Sequence, residues 1–372
     1  MHLFLGEVEP DALFQSKLLR ACGGIHALWE MSEDEFLTKT VEVLHPETAM
    51  ELYAKRDVGF LSGKLDRYEQ AGIGILYPEH PAYPAQLLTI HDPPELLYYK
   101  GNPDILNRHE RCIGIVGARE ADTYGREIAT YFASNLSRRD VLIVSGLAKG
   151  IDGAAHTGCL AADGDTVAVL GTGIDIPSPR ENLRLYFEIE ERGLLLSEYP
   201  PGYPGGIYTF PRRNRIISGI SHGVFVVQAR ERSGSLITAD LALEQGRQVY
   251  ALPGRAGDDR SVGCNRLIKQ GALLVTTPDD IMEDLFGVSA MEKRRTEEVP
   301  ADTHRKNNLA PLEKKVYSCV GLDPVSVDDI IRACKIGVTG AISILYRLEQ
   351  SGLVKQVRRG WYIITDIAEA IK

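Results

Sequence analysis

RCIGIVGAREADTYG, Arg111 to Gly125, sets the architecture of the chain. Ile113, Ile115 and Val116 are β-branched and apolar with Gly114 among them, the composition of a strand buried on both faces, so a parallel sheet begins here. Gly117 and Ala118 are small enough for a sharp turn. That turn projects Arg119 from the carboxyl end of the strand, where open α/β sheets hold their ligands. Asp122 or Thr123 then offers a side-chain oxygen to the orphan N–H groups of a helix running from Tyr124 to Ser137. The turn is not a dinucleotide fingerprint. It lacks the third glycine of G-x-G-x-x-G, and no acidic residue closes a following strand where a ribose would be held.

Strand, turn and helix recur downstream. Val141 to Ser145 (VLIVS) is a second buried strand ending in the glycine-rich SGLAKGID, followed by a helix from Ala154 to Ala162. Thr166 to Leu170 ends in GTGIDIPSPREN and leads to a helix from Leu183 to Arg192. Leu194 to Ser197 and Gly223 to Gln228 are further strands, the latter running through ARERSGSLITA into a helix from Ile237 to Gln245. Val249 to Leu252 and Leu273 to Thr276 complete the set. Strands alternating with helices in this way imply a doubly wound, mostly parallel α/β sheet.

The chain has 372 residues, enough for two or three domains, and is 44% hydrophobic and 25% charged, as a soluble globular protein is. MHLFLGEVEP has neither the apolar run nor the basic flank of a signal peptide, and no stretch is long and apolar enough to span a membrane, so a cytoplasmic protein is expected. The six cysteines form no C-x-x-C pair, which suggests buried thiols and neither a zinc site nor a disulfide framework. No metal or cofactor is expected. Residues 1 to 65 read as a small helical domain, with Leu13, Phe14, Leu18 and Leu19 at helical spacing, a break at Gly23-Gly24 and a Ser32/Glu35 capping signature. A Pro-rich approach follows, in which Glu95 to Lys100 reads as an edge strand. Tyr77, Tyr83, Tyr98 and Tyr99 there suit packing better than base stacking. Residues 286 to 308 mix both charges with almost no apolar content and read as a flexible linker. In the last segment, 309 to 372, helices at Ser326 to Ala333 and Val338 to Gln350 and a hairpin through Arg358-Arg359-Gly360 describe a winged helix. Its second helix leads with Val338, Thr339, Gly340, Ala341 and Ser343 and has no cation there for base edges. Only the wing carries Lys355, Arg358 and Arg359, so a protein-contact or accessory DNA module is expected.

A net charge of −9 excludes a uniformly basic coat and confines any phosphate-binding surface to a patch. Tyr199 to Arg230 is such a patch: it contains Arg212, Arg213, Arg215 and Arg230 without one carboxylate, centred on FPRRNRIIS, Phe210 to Ser218. Guanidinium groups grip phosphate bidentately and stack on bases, although Arg215, next to the apolar Ile216 and Ile217, is as well suited to a buried ion pair. Backbone N–H groups at helix starts in the Gly, Ser and Thr loops add anion-binding capacity.

SGLAKGID, GTGID with a following P-R-E-N, FPRRNRIISG, SGSLITA and GCNRLIKQGA, in this order, closely resemble the DNA-processing protein A family, also called DprA or Smf, over residues 66 to 285. The first 65 residues resemble the family's variable sterile-alpha-motif-like domain and the carboxyl end its optional winged helix. The resemblance implies an extended Rossmann-like domain that binds single-stranded DNA without catalysis. It implies homodimers as well, and a role in natural transformation: protecting incoming strands and loading RecA recombinase onto them. Candidate strand-binding residues are Gly117, Arg119, Ser145, Gly146, Lys149, Arg180, Asn182, Arg212, Arg213, Asn214 and Ser235. Ala118 stands where the family has a serine, Arg180 where it more usually has a lysine, and Ser178 replaces a tyrosine. Gly263 to Leu274 resembles the family's tail-to-tail pairing segment; because Leu267 and Ile268 are adjacent, one of them should stay partly exposed as an interface anchor.

Two other classes use similar sheets. A phosphoribohydrolase would need a P-G-G-x-G-T-x-x-E motif, but with Thr238 on that threonine the glutamate position holds Leu241 and the preceding glycine is Ile237. Asp152 and His156, four apart at a helix start, suit capping and packing better than acid–base work. A small-nucleotide sensor would saturate with a mononucleotide, whereas a strand groove gains affinity with length.

Overall fold

The computed structural model describes residues 1–8, 12–287 and 309–365. Six helices open the chain: α1 (His2–Val8), α2 (Ala12–Cys22), α3 (Ile25–Glu30), α4 (Glu33–Thr40), α5 (Pro46–Ala54) and α6 (Val58–Gln70). Gly23 and Gly24 take φ of 83° and 109°, which ends α2, and Ser32 caps α4 by accepting from the Glu35 N–H. Helix α6 runs through the boundary expected at residue 65 to Gln70. These helices do not keep a core to themselves. Leu3, Phe4, Leu28 and Phe36 belong to one buried cluster with Leu96, Tyr98, Leu170, Tyr186 and Leu195 of the following region.

Nine strands then form one sheet: β1 (Gly74–Leu76), β2 (Leu97–Gly101), β3 (Cys112–Val116), β4 (Leu142–Ser145), β5 (Thr166–Leu170), β6 (Leu194–Ser197), β7 (Gly223–Val226), β8 (Gln248–Ala251) and β9 (Leu273–Leu274), in the order β1-β2-β6-β5-β4-β3-β7-β8-β9. From β6 to β9 all pairings are parallel, and β3 to β8 are buried almost throughout, as a strand covered on both faces requires. One correction concerns β2. It was expected at an edge, but it lies between β6 and β1, antiparallel to both. The tyrosines of this region pack: Tyr98 is fully buried, Tyr83 donates to the Pro94 carbonyl at 2.7 Å and Tyr77 stacks on His2.

The connecting helices are α7 (Ile105–Arg108), α8 (Thr123–Ser137), α9 (Ile151–Ala161), α10 (Leu183–Arg192), α11 (Thr209–Ile220), α12 (Gly234–Glu244), α13 (Val262–Lys269) and α14 (Pro278–Phe286). Asp122 caps α8, its carboxylate accepting from the Gly125 N–H at 2.8 Å. Helix α11 was not expected, because FPRRNRIIS lacks a clear apolar period. Pro211 is tolerated in its first turn, where N–H groups have no intrahelical acceptor. The strand sequence β3-β4-β5-β6 grows to one side of β3 and β7-β8-β9 to the other. The crevice between the carboxyl ends of β3 and β7 is therefore the topological switch point, where such sheets bind ligands.

Residues 288–308, the body of the expected linker, lie outside the described residues. Beyond them α15 (Pro311–Tyr317), α16 (Val327–Cys334) and α17 (Val338–Gln350) surround their own core with the sheet β10 (Val325–Ser326), β12 (Trp361–Ile364) and β11 (Val354–Arg358), a winged helix. Lys335, with φ of 56°, turns α16 toward α17, and Arg358 stacks on Trp361 in the wing. Among the described residues no helix is long and apolar enough to cross a membrane.

Candidate nucleic-acid interface

The switch-point crevice encloses about 440 Å³. One wall is the turn after β3, Gly117 to Glu120; the other is the turn after β7, Arg230 to Ser235; Phe210, Pro211, Arg213 and Asn214 of α11 form the back. The two turns are tied together, since the Ala118 N–H donates to the Gln228 carbonyl at 2.8 Å. Gly117 is required for this closeness, because a Cβ there would run into Ile151 and the Gln228 carbonyl. Gly150, with φ of 78°, passes so near the Ala118 and Arg119 carbonyls that any side chain would overlap them.

The cations at the mouth are Arg119, Arg230 and Arg232, all exposed. Arg119 lies over the Phe210 ring, 5.7 Å from its centroid, an arrangement that holds a guanidinium beside an aromatic face. Arg230 reaches across to Glu120 at 3.5 Å. Helix α12 starts inside the crevice, its first residues capped by Ser233, whose hydroxyl also meets Ser235 Oγ at 2.7 Å. Orphan N–H groups, two hydroxyls and three guanidinium groups thus converge on one cavity. That combination has the chemistry to hold phosphates.

Of the residues expected to touch a strand, Gly117, Arg119, Arg213, Asn214 and Ser235 line this crevice. Several others are corrected by their surroundings. Ser145 is fully buried and donates to the Ile115 carbonyl at 2.6 Å; Gly146 is buried beneath it, its N–H donating to Asp152 Oδ2 at 3.2 Å. Arg213 is buried as well and donates to the Gly146 carbonyl at 2.7 Å and to the Val169 carbonyl. Burial lowers its guanidinium to about 10 while Asp152 opposes the shift, so it stays charged and braces the second loop from behind. Arg212 turns toward Asp92 at 3.4 Å. Arg215 is held by Asp92 and Glu198 at 3.0 and 2.6 Å in a buried ion pair. Helix α11 lies on the sheet, so arginines on its inner side find carbonyls and carboxylates instead of solvent.

Asn182 donates to the Leu147 and Ala148 carbonyls at 2.9 and 3.0 Å, strapping the start of α10 to the second loop. Lys149 is exposed and paired with Glu181, and Arg180 is exposed. His156 is fully buried against Thr166, and burial holds its imidazole neutral at about 3, so it packs. Phe210 and Arg230 were read as part of the basic patch but not as strand-binding candidates, and Arg232 and Ser233 stood only within the quoted ARERSGSLITA turn. What reveals them is topology, since β7 lies beside β3, and this is not written in either strand.

The fold and this crevice define a Rossmann-like protein that has a cationic crevice at its switch point and carries a winged helix. Residues 74–286 match the family model described as DNA recombination-mediator protein A, and residues 300–358 match the DprA winged helix domain. The chain belongs to that family of DNA-processing proteins. It is 40% identical to Protein Smf of Escherichia coli over 79% of this chain and 78% of that protein. It is 41% identical to DNA processing protein DprA of Bacillus subtilis over 68% of this chain and 87% of that one. The crystal structure of DNA processing protein A from Streptococcus pneumoniae superposes with a TM-score of 0.68 at 36% identity, covering 76% of this chain and 98% of the other. The structure of its namesake from Helicobacter pylori, described for its single-stranded DNA binding mode, gives a TM-score of 0.53 at 28% identity, covering 57% and 95%.

Proposed function

We propose that this protein binds single-stranded DNA with little sequence preference, acting as a cytoplasmic homodimer that shields incoming strands during natural transformation and loads RecA recombinase onto them. The observation that carries the reading is the convergence of Arg119, Arg230, Arg232 and the α12 start on one crevice backed by Phe210. Phosphates meet the cations there, and bases meet the ring without hydrogen-bond readout, so most sequences fit. Family membership and the strand-binding relative from Helicobacter pylori support it. The chain acts by binding and not by catalysis. Leu241 occupies the place a hydrolytic glutamate would take, His156 is fully buried against Thr166, and Asp152, which lines the crevice, accepts from the Gly146 N–H.

Anisotropy titrations with labelled oligonucleotides test this. Affinity should rise with strand length and exceed that for duplex, whereas saturation by a mononucleotide with no gain from length would favour a nucleotide sensor. Replacing Arg119 and Arg180 together by Ala should flatten the log–log salt dependence, at roughly 0.7 per lost phosphate contact on a single strand. An unchanged slope would remove both from the interface. Recombinase loading is tested by filament assembly on strands precoated with a single-strand-binding protein: the rate should rise when this protein is added.

A further inference from the structure

We infer that the bound strand leaves the crevice along the outer face of α10, over a stripe formed by Arg180, Leu183, Arg184 and Phe187; the inference rests on the strand-binding reading and extends it to a second contact surface. These positions are spaced i, i+3, i+4 and i+7, so they share one side of the helix and the turn that leads into it. The opposite side holds Leu185, Tyr186 and Ile189 in the core. All four stripe residues are exposed, Leu183 at 44% and Phe187 at 54%. Arg180 and Arg184 have no ion-pair partner among the described residues, and three nearby carboxylates are committed elsewhere: Glu181 to Lys149, Glu188 to Arg192 at 3.0 Å and Glu190 to Lys100 at 2.9 Å.

Cations alternating with apolar faces suit a single strand, whose phosphates and bases alternate in the same way. The Phe187 ring is held by an edge-to-face contact with Tyr186, centroids 5.3 Å apart, which fixes its orientation for stacking. Continuity with the crevice comes through Asn182. It ties the start of α10 to the Leu147 and Ala148 carbonyls, and Ala148 lines the crevice itself. The stripe also has an end. Glu191, one turn beyond Phe187 and exposed, places a carboxylate where the next phosphate would fall.

The test uses the full chain and oligothymidylates of roughly 4 to 16 nucleotides, the range over which single-strand sites fill. The variants are Arg184→Ala and Phe187→Ala, both at exposed positions, with melting curves to confirm the fold. The shortest strands should bind them like the parent, because these fill only the crevice. The longest strands should bind Phe187→Ala roughly 5- to 150-fold more weakly, and should lose about 0.7 of log–log salt slope on Arg184→Ala. Loss that is equal at all lengths, or absent at all lengths, overturns the stripe and leaves the crevice reading standing. No binding by the parent at any length overturns the crevice reading itself. A fall in mass of Phe187→Ala by light scattering assigns the apolar pair to a contact between copies and also overturns the proposal.

Discussion

Arg119 in one wall of the crevice and Arg213 at its back should behave differently when removed. Arg119 meets solvent and the Phe210 ring, so Arg119→Ala should leave the melting temperature nearly unchanged and weaken strand binding with a flatter salt slope. Arg213 braces the Gly146 and Val169 carbonyls from within, and its removal leaves those acceptors without their donor and Asp152 without a nearby positive charge. Arg213→Met should therefore lower stability, by about 1–3 kcal/mol for each buried acceptor left unpaired. Chemical denaturation reads this directly; an Arg213→Met protein of parental stability would show that the brace carries no weight. Gly150→Ala should cost about 1–3 kcal/mol in the same assay, because its φ and two facing carbonyls forbid a side chain. At this scale residue identity was readable and direction was not. The turn after β3 marked Gly117 and Arg119, and the family resemblance added Ser235; all three line the crevice. That Arg213 faces inward while Arg230 and Arg232 open onto the crevice depends on how α11 lies on the sheet and on β7 lying beside β3, which are non-local facts.

The parallel elements could be read because each strand is a short run of β-branched residues and each turn ends in glycine. Their amino ends hold a second cluster that the site does not use. His109, ahead of β3, is bonded to Asp165, ahead of β5, at 2.7 Å and lies 2.9 Å from Asp140, ahead of β4. The hydrogen bond to Asp165 raises the His109 imidazole above its ordinary value against the opposing effect of burial, and the same bond lowers Asp165. A raised histidine contributes stability that is whole below the unfolded value of about 6.5 and fades as pH climbs through the folded one. A lowered aspartate contributes above about 3.9 and fades as pH falls through its folded value. The difference in melting temperature between the parent and His109→Gln should accordingly be largest at mildly acidic pH and shrink toward alkaline pH, with strand affinity unchanged. A difference independent of pH would remove the pair from the titration. The amino-terminal helices are the element least well read. Their periodicity announced helices, but not that Gly6 of α1 lies against Leu96 and Tyr98, where any Cβ would be too close to both. Gly6→Val should push α1 off that surface and destabilise the protein by about 1–3 kcal/mol, readable by denaturation.

At the scale of the whole molecule the open question is how two copies would meet. Helix α13 and strand β9 close one edge of the sheet, and an edge strand of two residues leaves backbone groups and side chains facing out. Of the adjacent Leu267 and Ile268, at either of which a charge was expected to separate a dimer, one was expected to stay partly exposed; Leu267 is the inner one, 3% exposed within the core that α13 shares with β7 and β8. A charge at Leu267 should therefore unfold the domain instead of separating a dimer. Ile268 is only half-buried, and Leu274 on β9 and Val262 at the start of α13 are 48% and 37% exposed, so the apolar surface continues across this edge. A two-fold contact presents each of these residues twice, and one charge then acts on both halves of the interface. Ile268→Glu and Leu274→Glu should each give a folded monomer, and the monomer should bind long strands more weakly than the parent while matching it on short ones, because only a dimer can engage one strand at two crevices. Light scattering with circular dichroism decides between the outcomes. A folded monomer places the interface here, and a folded dimer from both variants moves it elsewhere on the molecule.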